Sequence, residues 1–246
     1  MTLAGKKVLV TGGGTGVGAE LARSFARQGA QVIVAGRRAE PLERLVAEQQ
    51  GLRAVRADVT DEASVREMFD AAGPCDVVIA NAGASDSAPF PRVDLDHWNA
   101  MLAVNLTGTF LTFREGLSRM QGWGRLIAVA STAGLKGYRY VAPYAAAKHG
   151  VVGLVRSLAL EVARRDVTVN ALCPGFLDTE MTERSVANIM EKTGADRDKA
   201  LAALTAGNPQ GRLVRPDEVS AAALWLCGAG SEAINGQAIA ISGGEI

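Results

Sequence analysis

The chain has 246 residues and equal numbers of basic and acidic side chains, 26 of each, so its formal net charge is zero and the surplus of lysine and arginine that a nucleic-acid binder needs is missing. Apolar residues at 48% and charged residues at 21% exclude bulk disorder, and no apolar run reaches the roughly 18 residues of a membrane span. Cys75, Cys173 and Cys227 are far apart and odd in number, and only His97 and His149 could join them, which excludes a disulfide framework and a metal cage and fits a reducing cytoplasm.

In chain order, short β-branched runs alternate with helical patterns. Strands are expected at Lys7–Thr11, Gln31–Ala35, Leu52–Ala57, Asp76–Ala80, Arg125–Ala130, Val167–Ala171 and Gln237–Ile241. Between them, helices are expected at Ala19–Gln28, Ala39–Gln50, Asp61–Ala71, Leu95–Met120, Tyr144–Arg164 and Asp217–Cys227. Strands apolar at nearly every position are covered on both faces, as in a parallel sheet. Repeated βα units then imply a single α/β domain over residues 1–246, a Rossmann-like doubly wound sheet of seven strands with helices on both faces. Residues 177–216 break the rhythm and are expected to form a substrate lid, because they follow the C-terminal end of the sixth strand.

The first strand runs into Thr11-Gly12-Gly13-Gly14-Thr15-Gly16-Val17-Gly18, which opens the first helix. Glycines admit a close phosphate, and the free amides of a helix N-terminus hold a pyrophosphate. The second strand ends Val34-Ala35-Gly36-Arg37-Arg38. Gly36 stands where an acid would bind a ribose 2′-hydroxyl, and Arg37 suits a 2′-phosphate through charge-assisted bonds. The expected cofactor is therefore NADP(H), with NAD(H) as the alternative. Arg38 is equally well read as a solvated loop residue.

Tyr144 and Lys148 share a helix face at i, i+4. A nearby ammonium favours the phenolate, so the pair forms a general acid/base for an alcohol–ketone couple. Ser131 ends the fifth strand at the same sheet edge and can donate to a substrate carbonyl, with Thr132 as the second choice. Tyr138 and Tyr140 lack a lysine four residues on, and His149 reads as structural.

Together these motifs resemble the short-chain dehydrogenase/reductase family over the whole chain. The resemblance makes Ser131, Tyr144 and Lys148 the catalytic triad, and Asn105 the site of a helix kink and of a water linking Lys148 to solvent. Gly12, Thr15, Gly16, Val17 and Gly18 become the pyrophosphate turn, and Arg37 the phosphate contact. Asp58 and Val59 then meet the adenine. Asn81, Ala82 and Gly83 pack beside the cofactor, Tyr144 and Lys148 reach its ribose, and Pro174, Gly175 and Thr179 contact the nicotinamide carboxamide. No metal is implied, because the hydride passes directly between cofactor and carbon.

The stretches around Ser131, Tyr144 and Cys173-Pro174-Gly175-Phe176 are similar to 3-oxoacyl-thioester reductases, polyketide ketoreductases and hydroxyacyl-CoA dehydrogenases. The implied activity is hydride transfer on a 3-oxoacyl or 3-hydroxyacyl thioester. The alternatives are a dehydrogenase of a non-thioester secondary alcohol and, remotely, a silent dinucleotide-binding protein. Lys136 and Arg139 could meet the phosphate of an acyl carrier arm, or be solvated loop charges. The family implies a cytoplasmic homotetramer with no membrane or nucleic-acid partner.

Overall fold

Strands that are aliphatic at successive positions need apolar cover on both sides. The computed structural model, which describes residues 3–246, provides it. β1 (Lys7–Thr11), β2 (Gln31–Gly36), β3 (Leu52–Arg56), β4 (Val77–Ala80), β5 (Gly124–Val129), β6 (Val167–Pro174) and β7 (Ala238–Ile241) form one parallel seven-stranded sheet in the order β3-β2-β1-β4-β5-β6-β7. Alternate residues of a strand enter opposite cores. Leu9, Val78 and Leu126 pack beneath α3 (Glu62–Ala72), α5 (Gly108–Arg119) and α6 (Ala142–Glu161). Val8, Val10, Ile79 and Ile127 pack beneath α1 (Gly16–Arg27), α2 (Ala39–Glu48) and α9 (Pro216–Leu226). The chain turns one way from β1 to β2 and the other way at β4, so the carboxyl ends of β1 and β4 flank the switch-point crevice where ligands of such sheets sit.

The helix expected over Leu95–Met120 is three pieces: α4 (Leu95–Leu102), a π-helical turn at Ala103–Thr107, and α5. Asn105, fully buried in the π turn, causes the break. Its Nδ2 donates to the Met101 carbonyl at 3.0 Å and to the Ala84 carbonyl at 2.9 Å, and its Oδ1 accepts from the Ala84 amide at 3.3 Å. A side chain inserted into the helix ladder in this way is a physical cause of a π bulge. β6 runs three residues beyond its expected end at Ala171, because Ala171–Pro174 pair with β7. α6 begins at Ala142 rather than Tyr144, with Pro143 in its first turn, where a missing amide costs no hydrogen bond.

Residues 177–216 contain α7 (Glu180–Thr193) and α8 (Arg197–Thr205). The excursion leaves and returns at one place: the Val214 amide donates to the Phe176 carbonyl at 2.9 Å, and the Asp178 amide to the Val214 carbonyl at 2.9 Å. No described helix is long and apolar enough to cross a membrane.

Candidate active site

The glycine-rich turn is first of all a packing solution. Gly12 has φ +64°, and a Cβ on it would lie 2.8 Å from Ala82 Cα. A Cβ on Gly18 would strike the Gly12 carbonyl and sit 2.6 Å from Asn81 Nδ2. Asn81 locks the turn, its Nδ2 donating to the Thr11 and Gly12 carbonyls at 3.0 and 3.1 Å. Thr11, absent from the expected site residues, completes the lock, its Oγ1 accepting from the amides of Asn81 and Ala82 at 3.1 and 3.2 Å. Asn81 therefore shapes the cradle from behind. Val17 is buried in the core, so only its backbone faces the site.

The cradle suits an anion. Thr15 occupies the N-cap of α1 without a side-chain cap bond, and the first turn holds no acid. The first amides of α1 thus keep their donors and the positive end of the helix dipole for a ligand. A Cβ on Gly16 would lie 3.4 Å from Thr179 Cγ2, which brings the root of residues 177–216 against the turn.

Arg37 and Arg38 are both exposed, and neither has an ion-pair partner among the described residues. Arg56, missed from sequence, joins them: its Nε donates to the Arg37 carbonyl at 3.2 Å. Only the register, Gly36 opposite Arg56, reveals that neighbour. Asp58 is held below the usual carboxylate range, mainly by the Thr60 amide that donates to it, and also by the Thr60 hydroxyl and by Arg37. Val59 turns its side chain into the core beside Gly108, which leaves its backbone alone for a ligand.

At the ends of β5 and β6 the expected triad converges. Ser131 Oγ accepts from the Ala133 amide at 3.1 Å, capping a 3-10 turn at Thr132–Gly134, and its hydroxyl acts on that of Tyr144. Burial pushes the Tyr144 hydroxyl above its ordinary value, and the Ser131 hydroxyl pulls it back in part. Lys148 is 5% exposed and donates to the Val129 carbonyl at 2.8 Å. Burial pulls its ammonium down to about 8. Its Nζ also lies 5.6 Å from the Tyr144 ring centroid. Gly83 separates Asn105 from Lys148: a Cβ on it would lie 2.7 Å from Asn105 Oδ1 and 3.7 Å from Lys148 Nζ. Both Nδ2 protons of Asn105 are used by backbone carbonyls, so only a remaining lone pair of Oδ1 is left for a water.

The neighbouring residues fall into place around this centre. Thr132, the second choice for carbonyl donor, is buried with its hydroxyl 2.7 Å from Tyr138 Oη. Lys136 is no free phosphate contact, since Glu245 holds its ammonium at 3.0 Å. His149 Nδ1 sits 2.9 Å from the Ala145 carbonyl of its own helix, as a structural residue would. Exposed Tyr140 is the one non-glycine residue at positive φ among those described (+70°), and its carbonyl accepts from the Ala88 amide at 2.9 Å. Pro174 is buried at the end of β6, and Gly175 donates its amide to Ile241 at 3.0 Å. No group of His, Cys, Asp and Glu among the described residues could hold a metal.

Residues 6–189 match the family model described as short chain dehydrogenase. A D-beta-hydroxybutyrate dehydrogenase of Cupriavidus necator is 36% identical, the alignment covering 99% of each chain. A 3-oxoacyl-[acyl-carrier-protein] reductase of Aquifex aeolicus is 34% identical over 98% of each. The crystal structure of a variant actinorhodin polyketide ketoreductase with NADPH superposes with a TM-score of 0.90 at 34% identity, covering 98% of this chain and 97% of that one. With these relatives comes the reaction class, hydride exchange between a nicotinamide cofactor and a ketone–alcohol couple. A glycine cradle at the switch point, a serine–tyrosine pair over a buried lysine, and a match across three quarters of its length place this chain in the short-chain dehydrogenase family.

Proposed function

We propose that the chain reversibly reduces a 3-oxoacyl thioester to its 3-hydroxy form with NADP(H). The observation that carries the reading is the convergence of Ser131 and Tyr144 beside buried Lys148, whose Nζ lies 5.6 Å from the Tyr144 ring centroid, joined through Asn81-Ala82-Gly83 to the glycine-rich turn. The nicotinamide, when bound, supplies or accepts the hydride. The amides of Gly12, Thr15, Gly16, Val17 and Gly18 would hold its pyrophosphate, and Arg37, seconded by Arg56, the 2′-phosphate. Asp58 and the Val59 backbone would meet the adenine. Ala82 and Gly83 would border the nicotinamide half, with Pro174, Gly175 and Thr179 at its carboxamide.

Ser131 orients the substrate oxygen by donating to it. Tyr144, kept protonated by burial, delivers its proton to that oxygen during reduction and recovers it during oxidation. Lys148 binds ribose hydroxyls and, once turned from Val129 toward Tyr144, stabilises the phenolate that proton loss leaves. Its depressed value lets it pass a proton on close to neutral pH. Asn105 sets the π turn that holds Gly83 against Lys148. Residues 177–216 act as the lid, with Phe176, Met181 and Met190 offering partly exposed apolar surface to an acyl group. Leu160, 80% exposed, and Trp225, 51% exposed, leave apolar surface for a homotetramer. Three free, buried thiols suit the cytoplasm.

A second reading, a dehydrogenase of a thioester-free hydroxy acid or alcohol, is favoured by the engagement of Lys136 with Glu245, which removes one handle for a carrier phosphate. The deciding experiment compares kcat/KM for a 3-oxoacyl-CoA, its N-acetylcysteamine thioester and a plain ketone of the same skeleton, with each cofactor. Trimming the substrate should lower kcat as well as raise KM; equal values for all three reject the thioester. NADPH should be preferred by roughly 10–100-fold, the worth of one charged hydrogen bond, and Arg37→Ala should erase that margin. Equal use of both cofactors by the wild type rejects the NADP(H) assignment.

A further inference from the structure

The last residues of the chain place a buried carboxylate that the reaction above does not use. Beyond β7, Gly243 and Gly244 adopt φ of +63° and +96° and press the tail onto residues 207–209. A Cβ on Gly243 would overlap the Asn208 side chain, and one on Gly244 would lie 3.5 Å from Pro209 Cγ. Glu245 is thereby directed inward, its side chain only 5% exposed. Two further glycines make room for it: a Cβ on Gly207 would lie 2.6 Å from Oε1, and one on Gly175 would lie 3.3 Å from Oε2.

One oxygen of the carboxylate takes two partners. Tyr138 donates its hydroxyl proton to Glu245 Oε1 at 2.7 Å, and Lys136 Nζ pairs with the same oxygen at 3.0 Å. A carboxylate only accepts, so Tyr138 has no proton left for Thr132, and Thr132 must be the donor in their 2.7 Å contact. The Tyr138 ring meets Phe176 edge-on, with centroids 6.3 Å apart and planes at 86°. One side chain therefore ties together four segments: the loop after Ser131, the root of residues 177–216 at Gly175-Phe176, their return at Gly207-Asn208, and the tail. Because the Lys136 end of the pair stays 39% exposed, the pair adds little stability; the buried carboxylate instead fixes the arrangement of the elements that supply its partners.

We propose that Glu245 is a positioning residue of the substrate site, holding the Tyr138–Phe176 wall and both ends of the lid against the loop that carries Ser131. The proposal rests on the reading of Ser131 and Tyr144 as the reaction centre and of residues 177–216 as the lid. It acts through Tyr138, Lys136 and the two glycine contacts rather than on the reacting atoms.

The test uses the full-length wild type, Glu245→Ala, Glu245→Gln, Tyr138→Phe and the Glu245→Ala/Tyr138→Phe double variant. Four quantities are read: kcat, KM for a ketone that the wild type reduces, the Kd of NADPH, and the rate of protease cleavage within residues 177–212. Loss of a bond to a charged group is worth about tenfold or more. Glu245→Ala should raise KM and speed cleavage by at least that factor, while the NADPH Kd stays within about twofold. Glu245→Gln, whose amide oxygen still accepts from Tyr138, should recover most of the loss. The double variant should fall little below Glu245→Ala, because the two residues share one contact. Unchanged KM and cleavage in Glu245→Ala overturn the proposal even if its Tm drops, as does an equal loss of kcat, KM and NADPH affinity in Glu245→Gln. Should Glu245→Ala not fold, Tyr138→Phe carries the test: it must raise KM and cleavage together, and a variant matching the wild type in both overturns the proposal. If the wild type reduces no ketone, the reaction assignment fails, while the cleavage rates still decide whether Glu245 holds the lid.

Discussion

At Tyr144 two forces oppose each other. Burial stabilises the neutral hydroxyl, and the Ser131 hydroxyl favours its ionised form, with burial the larger. The proton is therefore retained at neutral pH and given up only to a developing alkoxide. Tyr144→Phe keeps the ring and removes that proton, so kcat should fall by roughly 10²–10⁴-fold with the NADPH Kd unchanged; a variant keeping more than a tenth of kcat removes Tyr144 from the acid role. Lys148 makes a different prediction. Its folded value of about 8 lies below the ordinary 10.5, so between those values the unfolded chain binds the proton and the folded one does not. Stability then rises with pH across that window, and the full penalty of about 3 kcal/mol is present below it. Lys148→Met should lose turnover, yet gain stability relative to the wild type at pH 7, in the cofactor-free protein. That gap should shrink by about the same 3 kcal/mol toward pH 10. Urea melts at the two pH values measure it, and a gap independent of pH means that Lys148 titrates as if exposed.

Among the elements, the turn between β1 and α1 depends most on a residue outside it. Asn81, at the end of β4, holds the Thr11 and Gly12 carbonyls of the cradle. Asn81→Ala leaves both without that donor, which should cost about 1–3 kcal/mol of stability. It should also weaken NADPH by roughly tenfold, because the amides lose their fixed aim. Denaturant melts and cofactor fluorescence titration measure the two effects; an unaltered Kd shows that the glycines hold the turn unaided. The π turn follows the same logic, since Asn105 exchanges a regular helix for contacts that set Gly83 against Lys148.

The molecule as a whole separates chemistry from cohesion along its strands. The cofactor cradle and the triad lie at the carboxyl ends. Toward the other end, Arg125 on β5 is 1% exposed, donates to the Leu226 carbonyl at 3.1 Å and the Gly124 carbonyl at 2.9 Å, and lies 4.4 Å from the Trp123 ring centroid. It ties β5 to α9 with no acidic ion-pair partner within bonding distance among the described residues, and burial pulls its guanidinium down. Arg125→Ala opens a cavity there and should cost roughly 2–4 kcal/mol. kcat and KM should stay unchanged at room temperature, since no site residue touches it. A thermal melt and steady-state kinetics on one preparation check this; altered KM with unaltered stability reverses the division.

The sequence by itself determined whatever depends on neighbours along the chain. Aliphatic runs and helical periods placed the seven strands, and the i, i+4 spacing put Tyr144 and Lys148 on one helix face, because both signals are local. The tertiary structure decided what depends on residues far apart in the chain. It turned the Lys148 ammonium to Val129, made Asn81 a brace of the glycine turn, bonded Asn105 to the backbone of Ala84, and brought Arg56 beside Arg37. It also carried Glu245 across 107 positions of sequence to Tyr138 and paired it with Lys136. Such pairings are set by strand register and by which polar groups are left to satisfy one another once water is expelled, and neither is written in the spacing of the residues involved.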